Sequence, residues 1–251
     1  MKKIGISFNS ALGIGDKLQF TSIPENFYFT HGYKIIDVDK SWVYDYNPYV
    51  DRESKADEIY NPWASQNINI ENKIRNNELK YELLGLSLRA AAALDLNIRL
   101  RHNRLYIYED QPIESKKVVI HTNGRSEGGQ INDEIIDQIY ENYKGYQIYQ
   151  IGGKDDRNTP FIDMRGLDVW KTAEFIASSE IFIGVNSSMM HLANCYTKVR
   201  KKIIILQYNQ EDLKYFYPSA YHKYTHWIDY NNELYNQYDY DIGVTMSYKK
   251  I

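Results

Sequence analysis

Short runs of consecutive apolar residues alternate along this chain with stretches in which apolar side chains recur every three or four positions. Ile4-Gly5-Ile6-Ser7-Phe8 is a β-rich run that leads straight into the small-residue segment Asn9 to Asp16, which predicts a strand followed by a tight turn. Lys17 to Phe29 reads as helical, with Pro24 expected to end or kink the helix near Ile23, because proline has no N–H to donate and clashes with the preceding turn. Tyr33 to Val38 is the next predicted strand. Ser41 to Trp63 is rich in aromatics, Asn and Pro without a clear period, so mostly irregular structure is expected there. Within 71–94, Lys80 to Ala93 is the strongest helix-forming stretch of this half, and Asn103 to Tyr108 reads as a strand. The polar, proline-containing Glu109 to Ser115 reads as a linker.

Beyond it the alternation sharpens. Val118-Val119-Ile120-His121 predicts a strand, and Glu134 to Tyr143 a helix with Ile135, Ile136, Ile139, Tyr140 and Tyr143 on one face, Asn132 or Asp133 as cap and Gly145 as stop. Tyr146 to Ile151 is a strand running into Gly152-Gly153, and Asp168 caps a helix with the stripe Val169, Trp170, Ala173, Ile176 and Ala177. Ile181 to Val185 is a buried strand, Ser188 to Cys195 a short helix, and Ile203 to Leu206 another buried strand. Strands that are apolar throughout and alternate with helices predict a parallel sheet covered on both faces.

Composition narrows the class. With 251 residues, 43% of them hydrophobic, the chain has enough apolar material for one large domain or two small ones. Thirty basic residues against thirty-three acidic ones leave a net charge of −3 and no broad positive field, so nucleic acid is not expected as a partner. The start, Met1 to Ser7, lacks the apolar core of a signal peptide, and no run approaches the roughly 20 apolar residues of a membrane span. A cytoplasmic location is expected, with peripheral contact to a membrane left open. A single cysteine, Cys195, makes no internal disulfide and is read as core. The Tyr-rich stretch Tyr230 to Tyr248 is read first as compositional bias.

In an open parallel sheet, ligands bind outside the carboxyl ends of the strands, which directs attention to four loops. Gly13-Ile14-Gly15-Asp16 has two glycines suited to a tight turn or a close ligand, then a carboxylate; taken alone, Asp16 reads first as a helix cap. Thr122-Asn123-Gly124-Arg125 carries one cation able to meet a phosphate, or is a solvated turn. Gly152 and Gly153, before Lys154-Asp155-Asp156, form a plain turn or border a nucleoside. Asn186-Ser187-Ser188-Met189-Met190-His191 opens a helix, where backbone N–H groups and serine hydroxyls suit an anion; an ordinary cap with Met189, Met190 and His191 packed inside fits as well. The histidines show no metal spacing, so no metal is expected. The fingerprint glycines of a nicotinamide-binding fold are incomplete, and no P-loop or nucleophile elbow is present.

In their order along the chain these loops resemble glycosyltransferase family 9, the heptosyltransferase-like enzymes of the GT-B fold. The family's Gly-x-Gly-Asp loop is matched by Gly13 to Asp16. Its Gly-Val-Asp-Ser/Thr-Gly-x-x-His-Leu-Ala turn is matched by Gly184 to Ala193, with Asn186 and Ser188 in place of the acidic residue and the glycine. Ile151 to Asp155, the helix from Asp168 and the segment Asn47 to Asp51 occupy corresponding places, and the C-terminal likeness spans Val118 to Pro218. The resemblance implies two Rossmann-like α/β lobes with parallel sheets and a cleft between them: an acceptor-side lobe over 1–110 and a nucleotide-sugar donor lobe over 116–251. It also implies inverting, metal-independent transfer of a sugar, a heptose among the options, from a nucleotide diphosphate donor to a bacterial surface glycan or glycolipid, with no cofactor. Asp16 would be the catalytic base. Gly13, Gly15, Thr122, Arg125, Gly152, Gly153, Asn186, Ser187, Ser188, Met189 and His191 would hold the donor. A noncatalytic nucleotide- or glycan-binding module of the same fold, and a nucleotide-sugar epimerase or hydrolase, are the alternatives.

Overall fold

A computed structural model describes residues 2–8, 13–61, 92, 95–98, 104–108, 111–124, 129–185, 187–196, 198–199, 201–206 and 241–244. The predicted loop residues Asn9 to Leu12, the Lys80 to Ala93 helix apart from Ala92, Arg125, Asn186 and the Tyr-rich stretch apart from 241–244 lie outside them. Among the described residues the chain divides into two compact units between Tyr106 and Ile107.

In the first unit, β1 (Ile4–Ile6), β2 (Ile35–Asp37), β3 (Val50–Asp51) and β4 (Glu58–Tyr60) form a parallel sheet in the order β3-β2-β1-β4. The first helix, α1 (Ile14–Gln19), begins three residues earlier than the sequence predicts, so Gly15 and Asp16 sit in its first turn. The second helix, α2 (Ile23–His31), starts at Ser22 as cap, with Pro24 as its second residue. Proline therefore opens a helix rather than ending one: its fixed φ suits a first turn, whose N–H groups have no intrahelical acceptor anyway. The stretch predicted to be irregular holds β3, β4 and a 3-10 turn at Trp42–Tyr44. These strands run only two or three residues, too short for a period to be seen.

Asn103 to Tyr108 does not form the predicted strand over its described residues, 104–108. Leu105 and Ile107 are buried, which accounts for the alternation, but the polar residues between them serve another partner. The Tyr106 hydroxyl donates to Glu25 Oε2 at 2.8 Å, Arg104 lies 3.6 Å from Glu25 Oε1, and Tyr108 takes a left-handed φ of 56° that breaks an extended run.

The second unit contains β5 (Glu114–His121), α3 (Asp133–Asn142), β6 (Gln147–Ile151), β7 (Ile162–Asp163), α4 (Val169–Ala177), β8 (Ser179–Val185), α5 (Ser188–Asn194), β9 (Lys201–Leu206) and β10 (Asp241–Val244). Glu114 and Ser115, read as linker, belong to β5. Both longer helices are capped as their sequence suggests: Asn132 Oδ1 accepts from the Ile135 N–H at 3.0 Å and Asp168 Oδ1 from the Lys171 N–H at 2.8 Å. Each such cap is worth about 1 kcal/mol. On α3, Ile135, Ile136 and Ile139 face Val118, Ile120, Ile148, Ile181, Ile183 and Ile203 in one buried cluster, with Tyr143 and Tyr146 against its edge. At about 1.5–3 kcal/mol for each fully buried aliphatic side chain, this cluster contributes strongly to holding the unit together.

All six strands are parallel, in the order β10-β9-β8-β5-β6-β7. From β5 the sheet grows through β6 to β7, then the chain crosses back and grows through β8, β9 and β10 on the other side. This is the doubly wound Rossmann order, and its direction of growth reverses between β5 and β8. At the carboxyl end, His121 is in register with Ile151 on one side and with Gly184 on the other.

Replacing Ile120, which is fully buried in the cluster, by alanine should lower the unfolding free energy by about 2–5 kcal/mol in urea titration, through lost transfer energy and the cavity left behind. A loss below about 1 kcal/mol would contradict this account of the core.

Candidate functional site

The carboxyl edge of the second sheet, at the point where its growth reverses, is where an open α/β sheet offers a crevice. The chain sets a connected group of polar side chains there. His121 ends β5, Ser187 follows β8, and Asp156 lies in the loop after β6. The Ser187 hydroxyl is 3.0 Å from His121 Nδ1, and Asp156 Oδ2 is 3.9 Å from His121 Nε2. His121 and Asp156 are both buried at the side chain, at 8% and 9% exposure, while Ser187 is partly exposed.

Asp156 is held by two donors besides: the Gly153 N–H to Oδ2 at 2.8 Å and the Asn123 side-chain amide to Oδ1 at 3.1 Å. The turn that makes this possible needs glycine at 152. Its φ is +137°, and a Cβ there would lie 2.1 Å from Asp156 Oδ2 and 3.2 Å from His121 Cδ2. The Gly152-Gly153 pair thus packs the loop backbone directly against the His121–Asp156 pair.

Ser187 occupies the cap position of α5 with extended backbone, yet its side chain makes no capping bond. A serine at this position ordinarily accepts from an N–H of the first turn. Here its hydroxyl turns to His121, while its carbonyl accepts from the Met190 and His191 N–H groups at 3.1 and 3.4 Å. The N–H groups of Ser188 and Met189 precede the first intrahelical bonds, and both residues are partly exposed. Met190 is buried, and His191 is half-buried one turn into the helix.

Burial governs the protonation of His121. It pushes the imidazole from its ordinary 6.5 down to about 4, against an opposing pull from the Asp156 carboxylate. The ring is therefore neutral near pH 7, with one N–H to give. Asp156 beside Nε2 favours placing that proton on Nε2, which leaves Nδ1 to accept from the Ser187 hydroxyl.

Thr122 is fully buried, and its hydroxyl accepts from Gln150 Nε2 at 3.1 Å. Gln150 in turn donates to the Arg157 carbonyl at 2.7 Å and accepts from the Thr159 hydroxyl at 2.6 Å. Thr122 supports the loop from inside the unit.

In the first unit, Asp16 is the third residue of α1 and its carboxylate accepts from the Gly13 N–H at 3.1 Å. This is the carboxylate half of a capping box, with glycine unable to supply the other half. Partial burial raises the Asp16 pKa above its ordinary value, and the Gly13 N–H offsets part of that rise. Gly13 is exposed and Gly15 half-buried beside it. At the carboxyl ends of β1 and β2, Asp39 accepts from the Ser7 hydroxyl at 2.9 Å and from the Phe8 N–H, tying the two strand ends together.

Of the residues singled out in the sequence, Thr122, Gly152, Gly153, Ser187, Ser188, Met189 and His191 belong to the second unit, and Gly13, Gly15 and Asp16 to the first. Arg125 and Asn186 lie outside the described residues. In the sequence, Asn123 and Asp156 fall within candidate loops but have no assigned role, and His121 is read only as a strand residue, although it carries a signal as the polar residue that ends the apolar run Val118-Val119-Ile120. Among the described residues, no group of three or more His, Cys, Asp or Glu side chains is arranged to hold a metal ion, and no helix is long and apolar enough to cross a membrane.

No protein-family model and no curated protein sequence matches the chain. Solved structures do match. A family 9 glycosyl transferase from Veillonella parvula DSM 2008 superposes with a TM-score of 0.62 at 13% identity, over 98% of this chain and 86% of that one. The iron-containing dodecameric glycosyltransferase TibC from enterotoxigenic E. coli H10407 gives 0.59 at 17% identity, over 82% of this chain and 58% of that one. E. coli heptosyltransferase WaaC, solved with ADP, gives 0.52 at 10% identity, over 82% and 87%. The chain thus has the α/β fold of two parallel sheets found in these glycosyltransferases, and it spans 58% of the length of TibC.

The burial of His121 has a measurable consequence for stability. Between pH about 6.5 and about 4, the unfolded chain binds a proton at this histidine that the folded chain refuses, so stability rises with pH across that window and is lost as pH falls through it. The contribution is on the order of 3 kcal/mol. Urea denaturation at pH 7 and 4.5 should show the wild type losing about 2–3 kcal/mol more than His121→Gln. Equal losses in the two proteins would contradict a neutral, buried His121.

Proposed function

We propose that the chain is a glycosyltransferase of the family 9, heptosyltransferase-like type, moving a sugar from a nucleotide diphosphate donor to a carbohydrate or glycolipid acceptor with inversion and without a metal. The observation that carries this reading is the Ser187–His121–Asp156 group at the reversal point of a Rossmann-order sheet, where such folds bind nucleotides. The fold likeness adds support: WaaC was solved with ADP and TibC in complex with ADP-D-beta-D-heptose. ADP-heptose is accordingly the first donor to test, and a bacterial surface glycan the first acceptor.

In this reading the donor diphosphate lies along the Ser187 hydroxyl and the Ser188 and Met189 N–H groups, with the Gly152-Gly153 turn allowing close approach and Arg125 adding positive charge. The acceptor hydroxyl oxygen attacks the anomeric carbon and gives its proton to the Asp16 carboxylate. The bond from the anomeric carbon to the donor phosphate oxygen breaks, and its electron pair leaves with the nucleoside diphosphate. Asp16 suits the base role because partial burial keeps its carboxylate more basic than an exposed one, while the Gly13 N–H holds it in place. The Ser188 and Met189 backbone N–H groups, fixed in advance, stabilise the charge growing on the leaving group without a metal ion.

The test is nucleoside diphosphate release from a panel of nucleotide sugars with and without acceptor glycans. Asp16→Asn should lower kcat by about 10²- to 10⁴-fold with little change in nucleoside diphosphate affinity. Near-normal turnover by this variant would remove Asp16 from the base role. Loss of activity on chelation, restored by a divalent ion, would overturn the metal-free mechanism. Heat of nucleotide binding without release under any acceptor would make the chain a binding module.

A further inference from the structure

Ser187 has a single hydroxyl proton and lies 3.0 Å from His121 Nδ1; with the neutral ring's own proton on Nε2, where Asp156 favours it, the serine proton is committed to Nδ1. Spent in this way, Ser187 turns only lone pairs toward its open side, which repel a phosphate oxygen. For the hydroxyl to donate to a phosphate, Nδ1 must carry a proton of its own and donate to Ser187 Oγ. One added proton on the imidazole achieves this and leaves Nε2–H facing Asp156, whose carboxylate then balances the new charge.

We propose that His121 is a proton-linked positioning residue: binding of a nucleoside diphosphate at Ser187 takes one proton from solvent onto His121, reversing the His121–Ser187 hydrogen bond so that the serine hydroxyl donates to the ligand. The proposal rests on the nucleotide-binding reading of this edge. No bond other than those to the transferred proton changes, and water or buffer supplies the proton.

The surroundings of His121 suit such a device. Beside it, β6 sets Ile151 and β8 sets Gly184, neither of which titrates. The loop after β6 contributes Asp156, the charged group that acts on His121 among the described residues. The helix α5 carries His191 as its one titratable side chain. Burial keeps the ring neutral in the empty site, and the several negative charges of a diphosphate beside Ser187 favour the imidazolium once ligand arrives. Proton uptake and binding then favour each other, so affinity falls as pH rises. Asp156 keeps the imidazolium from being an uncompensated buried charge, and the donors from Gly153 and Asn123 keep Asp156 in place.

The experiment is calorimetric titration of ADP, UDP and GDP into the full chain in buffers of different ionisation enthalpy, from pH 6 to 8. The dependence of the observed heat on the buffer gives the number of protons taken up. Ionisation of the ligand's own phosphate is common to every variant, so the difference between proteins isolates His121. Wild type should take up as much as about one proton more than His121→Gln, with its Kd rising by up to about tenfold more per pH unit. Ser187→Ala should lose the same difference, and Ser187→Thr, which keeps the hydroxyl, should retain it. Thermal melting shows that each variant is folded, and the serine pair carries the test if His121→Gln is not. Binding with equal proton uptake in wild type, His121→Gln and Ser187→Ala overturns the proposal and leaves the nucleotide reading standing. No binding of any of the three nucleotides overturns both.

Discussion

Every described strand of the second unit runs in one direction, and the sheet reverses its growth once, between β5 and β8. From this constraint the rest of the candidate site follows. Parallel strands put all their carboxyl ends on one edge, and a reversal sends the connections on either side of it to opposite faces, leaving a gap that no helix covers. The loops that follow β5, β6 and β8 converge there. That convergence is why residues 121, 156 and 187, far apart in the chain, share one polar group, with Ser187 in hydrogen-bond reach of His121 Nδ1 and Asp156 3.9 Å from its Nε2.

The apolar interior makes the group consequential. Val118, Ile120, Ile181 and Ile183 bury the two central strands, so His121 emerges from a dry core rather than from a solvated surface. A buried imidazole costs stability at acid pH, and a serine diverted from its cap forgoes about 1 kcal/mol of helix stabilisation. Both costs fall at the same few residues. Local conflicts with stability that gather at one place make it a candidate for binding or chemistry.

Much of this architecture is visible in the sequence, and what is not visible has definite physical causes. The strands of the second unit are long apolar runs and its two longer helices carry strong apolar stripes with Asn132 and Asp168 as caps, so burial and local propensity point the same way. In the first unit, β3 and β4 are too short to show a period, and Pro24 opens a helix because it falls in the first turn, where its missing N–H leaves no bond unmade. Leu105 and Ile107 alternate like a strand because both are buried, while Arg104 and Tyr106 are drawn to Glu25, a partner that local pattern does not reveal. At the site, the glycine at 152 is legible because its left-handed backbone and the crowding against Asp156 demand that residue type. His121 and Asp156 act through each other across 35 residues, and only the register of β5 with β6 and β8 brings them together.

The central claim is that the carboxyl edge of β5 and β8 holds the diphosphate of a nucleotide. A crystal structure of the chain with the tightest-binding of ADP, UDP and GDP tests it most directly. The account predicts a phosphate oxygen at about 3 Å from Ser187 Oγ, with the Gly152-Gly153 turn beside the nucleotide. A nucleotide bound elsewhere in the chain, with Ser187 and His121 untouched, would contradict it.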